Sequence, residues 1–380
     1  MIVMVKRMGA RNDLICRPEN DKGRFMLQTT QRPWGLKARQ GHKLHRICAY
    51  QASFPPQLPA FFLDRYAKPG VVVLDPFSGR GTTLLEATLR GCKTYGVDLL
   101  PVAVLLSRVK IACPPLKWVL SEVAALDLEA KVTEPQPEEF THIFHLDTWN
   151  KLCALRSSKC SDVLMALALG RLHGHSPGFF SVKTFNVISI PPTSFARQNQ
   201  KHGSSPEPRD VKAILERAAY RFIPEDGIAG EGKVFEVDAR EIPLDDGSVD
   251  LVVTSPPFLD VVDYEDVNWL RGWFLGEGSP LVEPFFTRSA EDYKEFLRAV
   301  LTELARIVRH SGLCVMEVGN VKRKHNMLSI VLEAAEGLWR ISDLVHNNFS
   351  GQGVPKISRA MVGGGETATT QNQCVVFEKE

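Results

Sequence analysis

The feature that most constrains this chain is a short apolar run that leads into a glycine-containing turn and then a helix pattern. Val71–Leu74 is apolar without alternation, which is typical of a strand buried on both faces of a parallel sheet. The turn Asp75-Pro-Phe-Ser-Gly-Arg-Gly81 follows, and a helix is predicted over Thr82–Arg90, ending at Gly91. This strand–turn–helix unit favours a parallel sheet covered by helices.

The same rhythm returns along the chain. A strand over Lys93–Val97 ends in Asp98, and a helix is predicted to begin near Pro101. The later strands are predicted at 233–238, 249–253, 313–318, 341–346 and 374–378, with helices near 290–310 and 327–338. The pattern predicts an α/β fold with a doubly wound, mostly parallel, seven-stranded sheet.

Residues 112–232 interrupt the rhythm and predict a large insertion in the sheet. We expect a helix from about Asp147 to Gly170 and a polar, basic loop over Ser194–Arg209. The predicted organisation is an N-terminal arm (1–44), a first half of the sheet (45–111), the insertion (112–232) and a second half of the sheet with a glycine-rich loop over Gly351–Gln371 (233–380).

Charge is distributed unevenly, although the formal net charge is only +2. Residues 1–50 hold 11 lysines and arginines against three acids, and residues 151–224 hold 11 against four. The stretch 225–300 is acidic. Two basic segments beside an acidic core fit a partner with a phosphate backbone, although solvated loops would give the same charge pattern.

Composition is ordinary for a globular protein, with 44% hydrophobic and 24% charged residues. No run of 18 apolar residues predicts a membrane span, and the N-terminus lacks a signal-peptide core, so we expect a cytoplasmic protein. The eight cysteines have spacings that suit neither a zinc site nor a disulfide framework, which predicts reduced, mostly buried thiols.

The turn after the first strand has the properties of a cofactor site. Gly79 and Gly81 allow close approach of a ligand, and the following helix offers free N–H groups to a carboxylate. The third glycine of the dinucleotide fingerprint is missing, which favours a smaller adenosine ligand over NAD. Asp98 could accept both hydroxyls of a ribose, and Asp238 the adenine amino group; alternatively these acids are only helix caps.

A second segment, Thr254-Ser-Pro-Pro-Phe258, follows another buried strand. Two consecutive prolines remove two N–H donors and leave acceptors, namely the Ser255 hydroxyl and a proline carbonyl. With an aromatic ring next in sequence, this set suits a planar ring that carries an amino group. A proline-rich loop with a core aromatic is the alternative when the segment is considered alone.

Together these motifs resemble those of the DNA amino-methyltransferases, the N-4 cytosine and N-6 adenine DNA methylases. Phe54-Pro-Pro56 is similar to the family segment beside the methionine part of the cofactor. The resemblance implies a Rossmann-like methyltransferase fold and S-adenosyl-L-methionine as cofactor. The cofactor-binding residues it implies are Phe54, Pro55, Asp75, Pro76, Phe77, Gly79, Gly81, Thr82, Asp98, Asp238, Ala239 and Thr254.

The resemblance also implies a mechanism. The target base is flipped out of double-stranded DNA, and Ser255 and the Pro256 carbonyl accept its amino hydrogens while Pro257 stiffens the turn and Phe258 stacks on the base. The nitrogen then takes the methyl group directly, without a covalent enzyme intermediate or a metal. A serine at the first position of this motif favours N-4 of cytosine, with N-6 of adenine as the alternative.

DNA contacts are predicted in the insertion at Arg197, Asn199 and Lys201, and in the arm at Arg39 and Lys43. A solvated polar loop is the alternative for the insertion segment. No membrane partner is expected, and the protein could act as a homodimer. RNA methylation, protein glutamine methylation and an inactive DNA-binding homologue remain rivals, disfavoured by Ser255 and by the intact turn residues.

Overall fold

The structure describes part of the chain, and the fold is defined by those residues. A computed structural model describes residues 41–50, 53–129, 134–184, 191–257, 259, 264–276, 287, 289–319, 326–348 and 371–380. Most of the predicted N-terminal arm therefore lies outside the described residues. The predicted glycine-rich loop does too, except that residue 371 begins the last strand.

Seven strands of the described residues form one sheet. They are β1 (Val72–Asp75), β2 (Lys93–Asp98), β5 (Glu231–Glu236), β6 (Val249–Thr254), β7 (Val308–Gly319), β8 (Arg340–Asn348) and β9 (Gln371–Glu378). Their order in the sheet is β5-β2-β1-β6-β7-β9-β8. Neighbours from β5 to β7 pair in parallel, whereas β9 runs antiparallel to both β7 and β8. The predicted doubly wound, mostly parallel sheet is confirmed.

Alternating side chains bury both faces of the central strands. Val73 and Val253 pack with α1 (Gln57–Tyr66) and α2 (Thr82–Thr88). Leu74 and Val252 point to the other face, where they pack with α11 (Ala290–Ile307) and α12 (Met327–Ala335). Because both faces are covered, the strand sequences are continuously apolar, as predicted. The helix α3 (Pro101–Ile111) adds to the first face and also packs against the insertion.

The insertion is largely helical. Its two ends meet as a short antiparallel pair, β3 (Ala112–Cys113) and β4 (Ile228–Ala229). Between them lie α4 (Leu116–Ala125), α5 (Glu138–Thr141), α6 (Leu146–Ser157), α7 (Asp162–Leu169), α8 (Pro192–His202) and α9 (Val211–Phe222). An aromatic cluster that includes Phe140, Trp149 and Trp273 joins the insertion to α10 (Tyr264–Leu275), which follows the second predicted motif.

Some predicted elements were wrong in detail. The polar segment expected as a loop contains α8, which begins with proline at its first turn, ends at left-handed Gly203 and buries Phe195. The single helix expected over 147–170 is two helices, because Ser161 caps the start of α7. The β5 strand ends at Glu236, so Asp238 lies two residues beyond it.

Two further observations on the described residues concern the cysteines and the apolar character of the helices. Seven cysteines in the described ranges are free, and all of these but Cys160 are buried. No helix in the described ranges is both long and apolar enough to cross a bilayer.

Candidate active site

A cavity lies where the carboxyl ends of β1, β2 and β6 meet. Its volume is about 1090 Å³, including the open mouth. Nine predicted cofactor residues line it: Phe54, Asp75, Pro76, Phe77, Gly79, Thr82, Asp98, Asp238 and Ala239. Ser255 and Pro257 of the second motif line the same cavity. The predicted residues Pro55, Gly81, Thr254 and Pro256 are not among its lining residues.

The segment Asp75–Thr82, called the glycine loop below, is shaped by backbone conformation. Gly79 and Gly81 have φ angles of 50° and 72°, in the left-handed region that favours glycine. A Cβ on Gly81 would lie 2.9 Å from the Ser107 backbone, so a side chain there would force the loop away from α3. Glycine at this position therefore serves close packing of loop and helix as well as the turn.

Asp75 joins the glycine loop to the neighbouring strand. Its side chain is buried, and its Oδ1 accepts hydrogen bonds from the Thr254 hydroxyl at 2.6 Å and from the Phe77 N–H at 3.2 Å. Burial raises the pKa of Asp75 to about 6, although these hydrogen bonds oppose the shift. Thr254, predicted to bind cofactor, is fully buried and donates its hydroxyl to Asp75.

Asp98 lies at the end of β2 and holds the glycine loop through backbone amides. Its Oδ2 accepts from Gly79 N at 2.8 Å, and its Oδ1 from Leu100 N at 3.0 Å. Burial raises its pKa to about 6, and the backbone hydrogen bonds moderate that rise. Each carboxylate oxygen has two lone pairs, so the same oxygens can also accept hydroxyl groups from a ligand in the cavity.

Asp238 is held by a fork from Arg240. The Arg240 Nε and Nη2 donate to the two carboxylate oxygens at 2.9 and 2.7 Å, and the Arg240 guanidinium lies 5.8 Å from the Phe296 ring centroid. Partial burial by itself raises the pKa of Asp238, but the Arg240 hydrogen bonds bring it below its ordinary value. Asp238 is therefore an ionised acceptor in a fixed orientation at the cavity wall.

Ser255 forms the contact that sequence reasoning missed. Its hydroxyl donates to Glu317 Oε2 at 2.6 Å. This bond joins the residue that follows β6 to the neighbouring strand β7. Glu317 is only 5% exposed, and burial raises its pKa to about 7 although the Ser255 hydrogen bond opposes the rise. The only sequence signal was an acid inside the otherwise apolar strand predicted at 313–318.

The segment Thr254–Pro257, called the proline turn below, is held at its other end by α11. The Tyr293 hydroxyl donates to the Pro257 carbonyl at 2.8 Å, and Tyr293 is 2% exposed. Side chains from β1, β7 and α11 thus bond three residues of one short turn. Phe258, the predicted stacking ring, lies outside the described residues.

A buried polar network supports the glycine loop from behind. His45 lies in the 3-10 turn Lys43–Arg46, and its Nε2 is 2.8 Å from the Glu86 carboxylate on α2. Burial lowers the pKa of His45 to about 4, so the ring is neutral at pH 7 and donates this hydrogen bond. Arg80 donates to the His45 carbonyl, and buried Lys110 donates to the Arg80 carbonyl. Sequence reasoning did not assign these residues.

The predicted DNA-contacting residues are not all equally accessible. Arg197 and Lys201 are exposed on α8. Asn199 donates its side-chain amide to the His142 carbonyl at 2.7 Å, so it joins α8 to the rest of the insertion. Lys43 is half-buried in the 3-10 turn, and Arg39 lies outside the described residues.

Comparison with known proteins gives similar sequences among DNA methylases. A family model for DNA methylases of the N6/N4 type matches residues 17–107. The Type II methyltransferase M.BsoBI of Geobacillus stearothermophilus is 31% identical over 288 residues, covering 63% of this chain and 54% of that protein. M.MjaII of Methanocaldococcus jannaschii is 39% identical over 75 residues, covering 20% of this chain and 14% of that protein. This chain thus spans about half the length of M.BsoBI and a smaller share of M.MjaII.

Solved structures add only a weak likeness. Geranyl diphosphate methyltransferase in complex with SAM has a TM-score of 0.35 and 11% identity, over 86% of each chain. A likeness with so low a TM-score supports no conclusion about this chain. The fold is defined by the strand order.

The sheet order, with β9 antiparallel and a cavity at the ends of β1, β2 and β6, defines a Rossmann-like methyltransferase fold. With the glycine loop, the proline turn and these partial sequence matches, the chain is similar to the DNA amino-methyltransferases. The methyl donor that this resemblance implies is S-adenosylmethionine.

The cavity residues fit that donor. Asp98 offers carboxylate oxygens at the end of β2, where a ribose can donate its hydroxyls. Phe77 and Phe296 lie 6.0 Å apart and give the cavity an apolar wall beside Asp238, the acceptor predicted for an adenine amino group. A carboxylate for the sugar, an acceptor for the base and aromatic rings in the same cavity together match an adenosine ligand.

Proposed function

We propose that this chain transfers a methyl group from S-adenosylmethionine to the exocyclic N-4 amino group of cytosine in a specific duplex DNA sequence. The observation that carries the proposal is the hydrogen bond between Ser255 and Glu317 at the cavity. Because the hydroxyl hydrogen is directed at Glu317, the Ser255 oxygen keeps its lone pairs for a donor in the cavity. An amino group on a flipped-out base is such a donor.

When bound, S-adenosylmethionine supplies the methyl group. Ser255 and the Pro256 carbonyl accept the two amino hydrogens, which concentrates the nitrogen lone pair toward the cofactor side of the cavity. The methyl group would leave the cofactor sulfur for that nitrogen, which would then have to lose a proton. Glu317, with a pKa near 7, can take that proton through the Ser255 hydroxyl.

The insertion is the proposed target-recognition region. Its helix α8 presents Arg197 and Lys201 to solvent, where cations can contact phosphates. Lys43 would add a contact from the 3-10 turn beside the glycine loop. Asn199 supports α8 through His142 rather than standing free to read a base edge.

The experiment is methyl transfer followed by product analysis. The protein is incubated with tritiated S-adenosylmethionine and unmethylated duplex DNA of mixed sequence, and the DNA is digested to nucleosides. Label in N-4 methylcytosine supports the proposal, and label in N-6 methyladenine replaces cytosine by adenine as the target. Cofactor binding without transfer to DNA contradicts it, and transfer to RNA alone selects a different substrate.

A further inference from the structure

The first turns of α11 reach both halves of the cavity. Tyr293 donates its hydroxyl to the Pro257 carbonyl, whereas Phe296, three residues later, lines the cavity opposite Phe77. The two α11 rings contact each other, with centroids 6.4 Å apart. One short stretch of helix therefore touches both the proline turn and the cofactor end of the cavity.

We infer that Tyr293 is a positioning residue for methyl transfer, which fixes the proline turn relative to the cofactor through its hydrogen bond to Pro257. This inference rests on the proposed function, because it assigns the proline turn a role in orienting the target amino group. Tyr293 itself lies behind the turn and would act only through it.

The proline turn needs an outside donor. Pro256 and Pro257 have no N–H, so neither can donate a backbone hydrogen bond that would hold the turn from within. The Tyr293 hydroxyl supplies a donor from outside the turn to the carbonyl of partly buried Pro257. Since the peptide group is planar, fixing this carbonyl also fixes the plane of the next peptide bond.

The position of the Tyr293 hydroxyl is itself well determined. Ser289 caps α11 by accepting from the Asp292 N–H, and the helix buries Leu297, Val300 and Leu304 against the sheet. The Tyr293 ring lies in that same core, so its hydroxyl cannot follow the turn if the turn moves. Because the helix is held rigidly, the hydrogen bond fixes the position of the turn, and the turn does not determine the position of the helix.

The test is Tyr293→Phe, which keeps the ring and removes only the hydroxyl. We expect the single-turnover rate on DNA to fall about tenfold, less than the roughly hundredfold loss that a 1 Å misplacement of reacting groups can cause. The KM for S-adenosylmethionine should stay within about twofold, because the cofactor contacts are unchanged. Tyr66→Phe, at a partly buried tyrosine that ends α1 and does not line the cavity, is the matched control and should leave both values unchanged.

Two kinetic results would overturn the inference. One is a Tyr293→Phe rate equal to that of the control, and the other is a proportional loss of cofactor affinity that accounts for the whole effect. Melting temperatures of both variants separate a positioning effect from general destabilisation, since a purely structural role lowers the melting temperature and leaves the rate per folded molecule unchanged.

A structural measurement keeps the inference testable if the wild-type chain fails to methylate any nucleic acid, the outcome that refutes the proposed function. Crystal structures of the wild type and of Tyr293→Phe, both with sinefungin, compare the Pro257 carbonyl directly. A rotated carbonyl or shifted turn in the variant supports the positioning role, and an unmoved turn overturns it.

Discussion

The glycine loop and the proline turn occupy equivalent places in the sheet, at the ends of the paired strands β1 and β6, but they are held in different ways. The glycine loop takes its shape from left-handed glycines and from backbone N–H groups that donate to the nearby carboxylates Asp75 and Asp98. The proline turn has few donors of its own and is held by side chains on three other elements.

From this difference in support we expect the glycine loop to serve cofactor binding and the proline turn to serve methyl transfer. The shape of the glycine loop depends on backbone groups and on few side chains. Such a loop suits a ligand that is the same in every reaction. A turn made of acceptors and held from outside can be tuned by its neighbours, and Glu317 shows how: it directs the Ser255 hydroxyl and has a pKa near neutrality. We therefore expect substitutions around the glycine loop to change cofactor affinity and those around the proline turn to change the rate.

Ser255→Ala, in the proline turn, should give the largest effect on the rate. Loss of the oxygen that accepts an amino hydrogen should lower the transfer rate by about a hundredfold or more, with cofactor affinity unchanged. Single-turnover transfer of tritiated methyl groups to DNA measures it. Ser248→Ala, just before the opposite end of β6, is the control and should remain active. A fully active Ser255→Ala variant would remove the proposed role of this hydroxyl.

Asp98→Asn tests the glycine-loop side. The amide has one acceptor oxygen in place of two carboxylate oxygens, so it cannot satisfy Gly79 N, Leu100 N and two ribose hydroxyls equally well. We expect the KM for S-adenosylmethionine to rise about tenfold, with the rate at saturating cofactor changed little. If instead the saturated rate falls while the KM stays constant, the division between the two segments is wrong.

Glu317→Gln should also change the pH dependence of stability. Folding raises the pKa of Glu317 from 4.5 to about 7, so between these values the folded protein keeps a proton that the unfolded chain releases. The wild type therefore loses stability as pH rises through this window, by on the order of 3 kcal/mol. The neutral variant avoids this loss, and denaturant unfolding should find it more stable than wild type at pH 8 and similar at pH 4. Equal stability differences at both pH values would argue against a shifted Glu317.

The smallest effects are expected on the DNA side. Arg197→Gln and Lys201→Gln should each weaken DNA binding about threefold and reduce the salt dependence of log Kd by roughly one unit of slope per lost phosphate contact. Lys68→Gln, at an exposed lysine that precedes the amino end of β1, is the control. Salt titrations with an unchanged slope in both α8 variants would place the phosphate contacts elsewhere.

The same contrast explains what the sequence could predict. The glycine loop depends on residues next to each other in the chain, so its strand, turn and helix were predicted nearly to the residue. The proline turn was found because a buried strand precedes it. Its partners Tyr293 and Glu317 lie 36 and 62 residues from their bonding partners, and they meet only through the order of the sheet and the packing of α11.

The insertion was predicted less well for a related reason. The helix α8 has a polar sequence in which Phe195 is the buried hydrophobic residue, so it lacks an apolar stripe of helical period. Local signals were nevertheless present, since Pro192 begins the helix and Gly203 ends it. The role of Asn199 could not be predicted, because its acceptor, the His142 carbonyl, belongs to a different segment of the insertion.

We propose that Glu317, remote in sequence, accepts the Ser255 hydroxyl and takes the proton that the target amino group loses. The most direct measurement is the single-turnover rate of methyl transfer to DNA as a function of pH, for the wild type and Glu317→Gln at saturating cofactor. We expect a wild-type rate that rises to a plateau above a pKa of about 7, and a variant rate about tenfold lower that lacks this transition. A variant with the wild-type rate and the wild-type pH profile would contradict it.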